Sequence, residues 1–384
     1  MAPLIENLVR LRCGRILQGQ FVATPLTMVI STAQRANWSV LKRPSSVAQA
    51  WSLKQIMENR RLRTCAPEGG TVTLAELKAC LRLPVVCAPM FLVSGPELLM
   101  AASLAGVLGS LPASNARTTE ELRDWLERMT AALDDGRTVR PYAINLIVRG
   151  ADSPRFAGDL DLIEQFRPPV VITSVGRPGD VVARVHDYGG LVFHDVATLR
   201  HAQTAIESGV DGLILLTAGA GGHTGTANPF AFVPQIRRIW DGGILLAGGI
   251  SDGAGVRATE TLGADFAYMG TRFAATQESR AAEEYKQLLI SQGMADLLVT
   301  DRISGLMATF MRGSIVKAGL DPDDLPPRLG LFKPDLPESI KPWRDVWSAG
   351  HGVGLIDDVP STAELVDRLE REYRAACSRR NCYH

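Results

Sequence analysis

The sequence predicts an α/β protein whose core is a (β/α)8, or TIM, barrel. From Leu83 onward, short apolar runs alternate with amphipathic segments. The runs are continuous in Val, Ile and Leu rather than alternating with polar residues, which is typical of parallel strands buried on both faces. Their starts lie roughly 20 to 35 residues apart, the length of one strand–helix unit.

Eight such runs follow one another along the chain, at residues 84–88, 107–111, 142–146, 170–174, 191–195, 212–217, 244–248 and 266–270. Eight repeats match the number of strands in a closed barrel. An open, doubly wound sheet of the dinucleotide-binding kind also alternates strands with helices, but it carries a Gly-x-Gly-x-x-Gly loop after its first strand. No such loop follows the first run here, so the barrel is favoured.

The segments between the runs predict helices. Residues 118–121 read Thr-Thr-Glu-Glu and supply a cap for a helix with an apolar face. Residues 197–208 place apolar side chains at helical spacing and end before Gly209. Residues 253–262 repeat this form and stop at Gly263. The alternation of strand and helix therefore continues to the eighth run.

The pattern changes on both sides of the barrel. Residues 1–75 are basic and poor in acidic residues, and we expect a poorly ordered extension, with a targeting peptide or a misplaced start codon as alternatives. The barrel is predicted for residues 76–275. Residues 276–376 are predicted to form a lid on the barrel rim, helical over 276–326 and ending in a closing helix.

The composition argues against several classes of protein. The 384 residues are 46% hydrophobic with zero formal net charge, which is typical of a soluble globular protein and gives no support for nucleic-acid binding. The longest apolar stretch, 98–111, is shorter than the roughly 20 residues of a membrane-spanning helix. The six cysteines lack metal-ligand spacing. We therefore expect a reduced, cytoplasmic, metal-free protein that is a monomer or homodimer.

Polar and glycine-rich segments follow the ends of the predicted strands, where a barrel of this kind has its active site. The segment 218–225 reads Ala-Gly-Ala-Gly-Gly-His-Thr-Gly after the sixth run. Glycines allow a backbone to approach a flat ligand closely, and a histidine exchanges protons near neutral pH. His223 therefore indicates chemistry beside a bound cofactor, rather than a solvated loop histidine.

The ends of the seventh and eighth strands indicate a phosphate site. Residues 247–250 read Ala-Gly-Gly-Ile and residues 269–272 read Met-Gly-Thr-Arg. These loops are the usual phosphate site of the fold, and glycine amides suit a phosphate dianion. The alternative is that both are only tight barrel turns. Asn145 ends the third run, where its amide suits the edge of a polar ring or caps the loop.

Other chemically capable side chains have simpler interpretations. Cys87 lies among apolar neighbours, which predicts a packed, inert thiol. Arg272 could pair with a phosphate or with a carboxylate at the rim. His194 ends the fifth run beside Asp195 and could reach the cavity.

Taken together, four segments resemble the nitronate monooxygenases, formerly called 2-nitropropane dioxygenases. These segments are 85–90, 220–225, 247–250 and 263–273, and the similarity extends over about residues 80–376. The same group of flavin-binding barrels holds the FabK-type enoyl-ACP reductases and some NAD(P)H:quinone reductases. Relatives often have Gln where this chain has His351, and some have Lys where it has Asp195.

The resemblance implies a noncovalent FMN in the barrel mouth and a nitronate and O2 as reactants. His223 would be the catalytic base or the group that binds an anionic nitronate, and the products would be a carbonyl compound and nitrite. The implied cofactor-binding residues are Ala88, Pro89, Met90, Asn145, Gly221, Gly222, Gly248, Gly249, Gly270 and Thr271. Two alternatives stay open: an FMN-dependent NAD(P)H oxidoreductase acting on quinones or enoyl thioesters, and a noncatalytic flavin- or phosphate-binding protein.

Overall fold

Eight parallel strands close into a barrel. The computed structural model describes residues 71–136, 139–148 and 153–379. The barrel strands are β1 (Val85–Cys87), β2 (Gly109–Pro112), β3 (Tyr142–Ile147), β4 (Val170–Ser174), β5 (Leu191–Val196), β6 (Gly212–Leu216), β8 (Gly243–Ala247) and β9 (Phe266–Met269). They are ordered β1-β9-β8-β6-β5-β4-β3-β2, and a parallel bridge between Val86 and Leu108 joins the two ends. The predicted (β/α)8 barrel is confirmed.

Helices connect the strands and cover the outside of the barrel. Their bounds are α1 (Leu74–Cys80), α2 (Pro96–Ala105), α3 (Thr119–Leu133), α4 (Pro154–Phe166), α5 (Gly179–Asp187), α6 (Leu199–Glu207), α7 (Pro229–Arg237), α8 (Gly253–Leu262) and α9 (Thr271–Ala274). The predicted caps form: Thr118 accepts a hydrogen bond from the backbone N–H of Glu121 at the start of α3. Gly263 ends α8 with a φ of 102°, a left-handed conformation that favours glycine.

Alternation along each strand divides its side chains between the barrel interior and the helices. Leu191 and Phe193 of β5 join an interior cluster, whereas Val192 and Val196 pack outward against the helices. Both sets are apolar, which explains why the strands are continuous apolar runs in the sequence. The last inward position of each strand remains at the open end of the barrel.

A small antiparallel sheet lies above the strand ends, and it was not predicted. It consists of β7 (Gly222–His223), β10 (Leu297–Thr300) and β11 (Ala308–Met311), with β11 in the middle. The prediction that residues 276–326 are helical is therefore wrong in part, although α10 (Glu283–Ser291) and α11 (Arg312–Lys317) do form there. β10 and β11 pair with each other over four residues, and β7 forms through its pairing with the distant β11, contacts that local periodicity does not reveal.

The last helix, α12 (Thr362–Ser378), completes the barrel wall instead of covering its rim. It packs against α8 and α2, and its Leu365, Val366 and Leu369 are buried in the same cluster as Leu98 of α2. It takes this place beside the four-residue α9, which is too short to cover the wall. The division of the chain at residues 75 and 275 stays a prediction, and residues 1–70 lie outside the described part.

The cysteine and membrane expectations have separate outcomes. Cys80 is disulfide-bonded, so the expectation of a fully reduced chain is wrong there, since spacing alone does not fix pairing. Cys87 and Cys377 are free, and burial raises the pKa of the Cys87 thiol. Among the residues that the structure describes, no helix has both the length and the apolar character needed to cross a bilayer.

Candidate active site

The carboxyl ends of the eight strands open into a cavity of about 460 Å³. One inward residue at or just beyond the end of each strand contributes to its floor: Ala88, Pro112, Asn145, Ser174, Asp195, Leu216, Ala247 and Tyr268. The polar members on β3, β4 and β5 are neighbours, and the rest of the floor is apolar except for Tyr268. The cavity therefore has one polar sector in an otherwise apolar floor.

The structure brings all the predicted site residues to this one cavity. Its lining includes Ala88, Pro89, Met90, Asn145, Gly221, Gly222, His223, Gly248, Gly249, Gly270 and Thr271. His194 is different, because it alternates with Asp195 on β5 and points away from the cavity. Its Nδ1 lies 2.8 Å from the Thr173 hydroxyl, and burial lowers its pKa to about 4. The expectation that His194 reaches the cavity is wrong.

His223 lies in β7 rather than in a free loop. His223 is the antiparallel pairing partner of Ala308 in β11. The backbone N–H of the preceding Gly222 donates to Ser348 Oγ at 2.5 Å. Within the described ranges, no hydrogen bond reaches either ring nitrogen of His223. Burial lowers the pKa of this imidazole, because a desolvated site disfavours the charged form. The ring is therefore neutral at neutral pH and has both nitrogens available to a ligand.

Trp343 fixes the His223 ring from the side, and the sequence did not identify it. The two ring centroids are 5.3 Å apart and their planes are nearly perpendicular, at 85°. Trp343 also packs on Phe310 of β11, with centroids 5.0 Å apart. Its φ of 69° is unusual for a bulky residue, and such outliers concentrate at ligand sites. The only signal in the sequence is its position at the start of a second glycine-rich turn, residues 343–354, which reads Trp-Arg-Asp-Val-Trp-Ser-Ala-Gly-His-Gly-Val-Gly.

The glycine-rich segment 218–225 and the second glycine-rich turn, 343–354, meet at one side of the cavity. A Cβ on Gly221 would lie 2.7 Å from the backbone nitrogen of Gly350, so only glycine allows this approach. Gly350 N–H donates to Thr271 Oγ1 at 2.9 Å. Ser251 Oγ is buried there without a hydrogen-bond partner in the described chain. The turns thus leave a polar, glycine-lined recess that suits an anion held by neutral donors.

Arg272 does not point into this recess. Its buried guanidinium pairs with the Asp358 carboxylate at 2.9 Å. Of the two partners considered for Arg272, the carboxylate is thus the one present. No lysine or arginine of the described residues lines the cavity. A phosphate there would therefore be stabilised by hydrogen bonds from backbone and hydroxyl donors alone.

The polar sector of the floor is a hydrogen-bonded chain. Asn145 Nδ2 donates to the Ile172 carbonyl at 3.2 Å and to Ser174 Oγ at 2.8 Å. Ser174 Oγ in turn donates to Asp195 Oδ2 at 2.7 Å. Both donors of the amide are therefore used inside the protein, and its carbonyl oxygen remains as an acceptor. Burial raises the pKa of Asp195 to about 6, which the Ser174 hydrogen bond opposes.

Comparison with known proteins agrees with this arrangement. The family model described as nitronate monooxygenase matches residues 142–372. A nitronate monooxygenase of Paraburkholderia phytofirmans is 28% identical over 345 residues, covering 76% of this chain and 92% of the relative. A (3aS,4S,5R,7aS)-5-hydroxy-7a-methyl-1-oxo-octahydro-1H-indene-4-carboxyl-CoA dehydrogenase of Rhodococcus jostii is 28% identical over 235 residues. That match covers 61% of this chain and 64% of the dehydrogenase, less than two thirds of its length.

Two solved structures share the fold over most of their length. FabK from Thermotoga maritima superposes with a TM-score of 0.63 at 25% identity, covering 79% of this chain and 96% of that one. A nitroalkane oxidase from Streptomyces ansochromogenes superposes with a TM-score of 0.65 at 25% identity, covering 78% and 98%. The family match spans more than half of the chain and includes the strands that form most of the cavity. The chain therefore belongs to the nitronate monooxygenase family, whose members depend on a flavin.

Proposed function

We propose that this protein uses FMN to oxidise alkyl nitronates with O2, giving a carbonyl compound and nitrite. The observation that carries the proposal is the His223 ring, which is neutral, faces the cavity and has no hydrogen-bond partner in the described residues. A neutral imidazole can take the α-proton of a nitroalkane. The nitronate monooxygenase of P. phytofirmans and the nitroalkane oxidase of S. ansochromogenes support this choice of substrate.

The cavity fits FMN in its shape and donor set. The unpartnered Ser251 Oγ and the recess between the glycine-rich turns suit the phosphate, which Gly248, Gly249, Gly270 and Thr271 would hold. The backbone of 88–90 and the glycines Gly221 and Gly222 would lie beside the ring, and Asn145 would meet its polar edge. The bound flavin would accept electrons from the substrate and pass them to O2.

The chain's own groups would then prepare and hold the substrate. His223 removes the proton from carbon, and the resulting imidazolium is the only cation that the described lining offers to the anionic nitronate. Trp343 holds the imidazole ring in one orientation through its perpendicular contact. Apolar walls exclude water, which keeps the free imidazole neutral and strengthens its attraction to the anion once it is charged.

The test compares two substrates in two variants. Purified protein is given nitroethane, propionate 3-nitronate, NADH and NADPH in parallel, with O2 uptake and nitrite as readouts. In His223→Asn we expect turnover of nitroethane to fall by about 10²- to 10⁴-fold, the usual contribution of a general base, and turnover of the preformed nitronate to fall less. His201→Asn, on the exposed face of α6, is the control. Undiminished turnover of nitroethane by His223→Asn would refute the role of this residue.

A second candidate is an FMN-dependent NAD(P)H oxidoreductase acting on quinones or enoyl thioesters. Two comparisons favour it: the FabK structure and the carboxyl-CoA dehydrogenase of R. jostii. This candidate requires consumption of NADH or NADPH that depends on an added quinone or enoyl thioester. Nitrite release from nitronates without any nicotinamide is the result expected from the first candidate.

A further inference from the structure

Asp195 is the one acidic residue in the cavity lining that the structure describes, and the proposed reaction leaves it unused. Its carboxyl group borders the cavity at the carboxyl end of β5. Oδ2 accepts the hydrogen bond from Ser174, but Oδ1 is buried and has no donor within the described chain. An ionised Asp195 would therefore hold half of its charge on an oxygen that no donor contacts, a costly arrangement.

The groups around Asp195 do not compensate that charge. Ser174 on β4 and Asn145 on β3 are neutral, and Leu216 is the floor residue of β6. Across the floor, burial raises the pKa of Tyr268 on β9, which keeps its phenol neutral, and burial also keeps the outward-facing Cys87 thiol on β1 neutral. No arginine or lysine of the described residues forms an ion pair with Asp195. His223, above the floor, is neutral as well.

Water in the open cavity is what still stabilises the ionised form. Oδ1 itself is buried, but Asp195 as a residue keeps a partly exposed surface at the cavity, so cavity water can stabilise the charge from nearby without a hydrogen bond to Oδ1. A flavin ring that fills the cavity would displace this water. Its one ring N–H would go to the Asn145 carbonyl oxygen, and its remaining polar ring atoms are acceptors, which do not stabilise a carboxylate. Desolvation disfavours the charged carboxylate, so the ligand and the charge on Asp195 oppose each other.

We propose that Asp195 takes up a proton at Oδ1 from solvent when FMN fills the cavity, so that the cofactor is bound above a neutral carboxylic acid. The proton goes to the oxygen that has no donor, while Oδ2 keeps the hydrogen bond from Ser174. The inference rests on the proposed function, because it takes FMN as the ligand. It makes Asp195 a residue that sets the pH range of cofactor retention.

The sign of the effect follows from linkage. In the open cavity Asp195 has a pKa of about 6, and filling the cavity raises it further. Between these two pKa values the complex holds more protons than the free protein, so FMN affinity falls as pH rises, by at most tenfold per pH unit. Of the other nearby groups, His194 is already neutral in this range, and Tyr268 and Cys87 stay protonated. Burial lowers the pKa of His223 from its usual 6.5, so its titration lies below that value.

The experiment measures the dissociation constant of FMN by quenching of its fluorescence, from pH 5 to pH 9, on the full chain stripped of flavin. Riboflavin is titrated in parallel, because it lacks the phosphate, whose own ionisation lies near pH 6. Asp195→Asn reproduces the neutral acid in shape, and Glu207→Gln, an exposed acid on α6, is the control. Calorimetric titration of the unmodified protein in two buffers of different ionisation enthalpy measures the proton uptake without any variant.

We expect the affinity of the unmodified protein and of Glu207→Gln for both ligands to fall by about tenfold or more between pH 6 and pH 8, with uptake of up to one proton per ligand. Asp195→Asn should bind riboflavin equally well across the range, and only the ionisation of the phosphate should remain in its FMN profile. Parallel pH profiles for Asp195→Asn and the unmodified protein, or binding without proton uptake, would overturn this inference and leave the proposed function standing. No FMN binding by any of the proteins at any pH would overturn both.

Discussion

His223 and Asp195 face the same cavity, and burial changes their pKa values in opposite directions. It lowers the pKa of the imidazole and raises that of the carboxyl group to about 6, because in each case the charged form is the one that loses solvent. Two groups separated in this way suit different tasks. The imidazole is ready to accept a proton, and the carboxyl group is ready to hold one.

The pH dependence of turnover should report the imidazole. Since the pKa of His223 lies below its usual 6.5, kcat/KM for nitroethane should fall only as pH drops through a value below 6.5, where the base becomes protonated. It should be independent of His223 at higher pH. Steady-state rates between pH 4.5 and pH 8 test this, and an inflection above pH 6.5 that vanishes in His223→Asn would contradict it.

The protonation of the Asp195 carboxyl group should instead change the free energy of unfolding. The pKa of Asp195 is raised from 3.8 to about 6, so the folded protein binds more protons than the unfolded chain between these values and loses stability as pH rises through them. Two pKa units correspond to about 3 kcal/mol. Without flavin, Asp195→Asn should therefore be more stable than the unmodified protein by up to about 3 kcal/mol at pH 8, with no difference near pH 4. Denaturant unfolding at both pH values measures this, and equal stabilities at pH 8 would show that the carboxylate is solvated.

Among the secondary-structure elements, the site depends on the pairing of β7 with β11, which the sequence did not reveal. The barrel strands could be predicted closely, with β4 at the same residues, because each is a local apolar run. The strands of the small sheet could not be predicted. β7 has two residues and exists only through its pairing with β11, which pairs in turn with β10. For the same reason the sequence suggested His223 but not Trp343, whose contact with the imidazole depends on how a distant loop folds.

Ser348 connects this small sheet to the second glycine-rich turn. Its hydroxyl accepts from Gly222 N–H at 2.5 Å and donates to the Thr309 carbonyl at 2.7 Å. Ser348→Ala should cost about 1–3 kcal/mol, because it leaves both backbone groups without this partner, and should lower turnover of nitroethane by loosening β7 beside His223. Ser378→Ala, at the exposed end of α12, is the control. Thermal unfolding and kcat measured together check this. Unchanged values of both would show that the two hydrogen bonds of the Ser348 hydroxyl do not position His223.

For the whole molecule, sequence periodicity is sufficient to predict the barrel and the position of its open end, because eight parallel strands must bring their carboxyl ends together. The predicted barrel therefore also places residues as distant as Ala88 and Thr271 at one cavity, as the structure has them. Periodicity could not predict that α12 closes the wall beside the short α9, since several amphipathic helices could have filled that gap. Nor could it predict which polar atoms of the floor remain without partners, because that depends on side-chain geometry across β3, β4 and β5.

The most direct test of the proposed nitronate oxidation is the absorbance of the bound flavin after anaerobic mixing of the reconstituted protein with ethylnitronate. We expect the nitronate to reduce the flavin rapidly, O2 to restore the colour, and NADH or NADPH to reduce the flavin only slowly. Rapid reduction by NADH or NADPH with no change on addition of the nitronate would contradict this expectation.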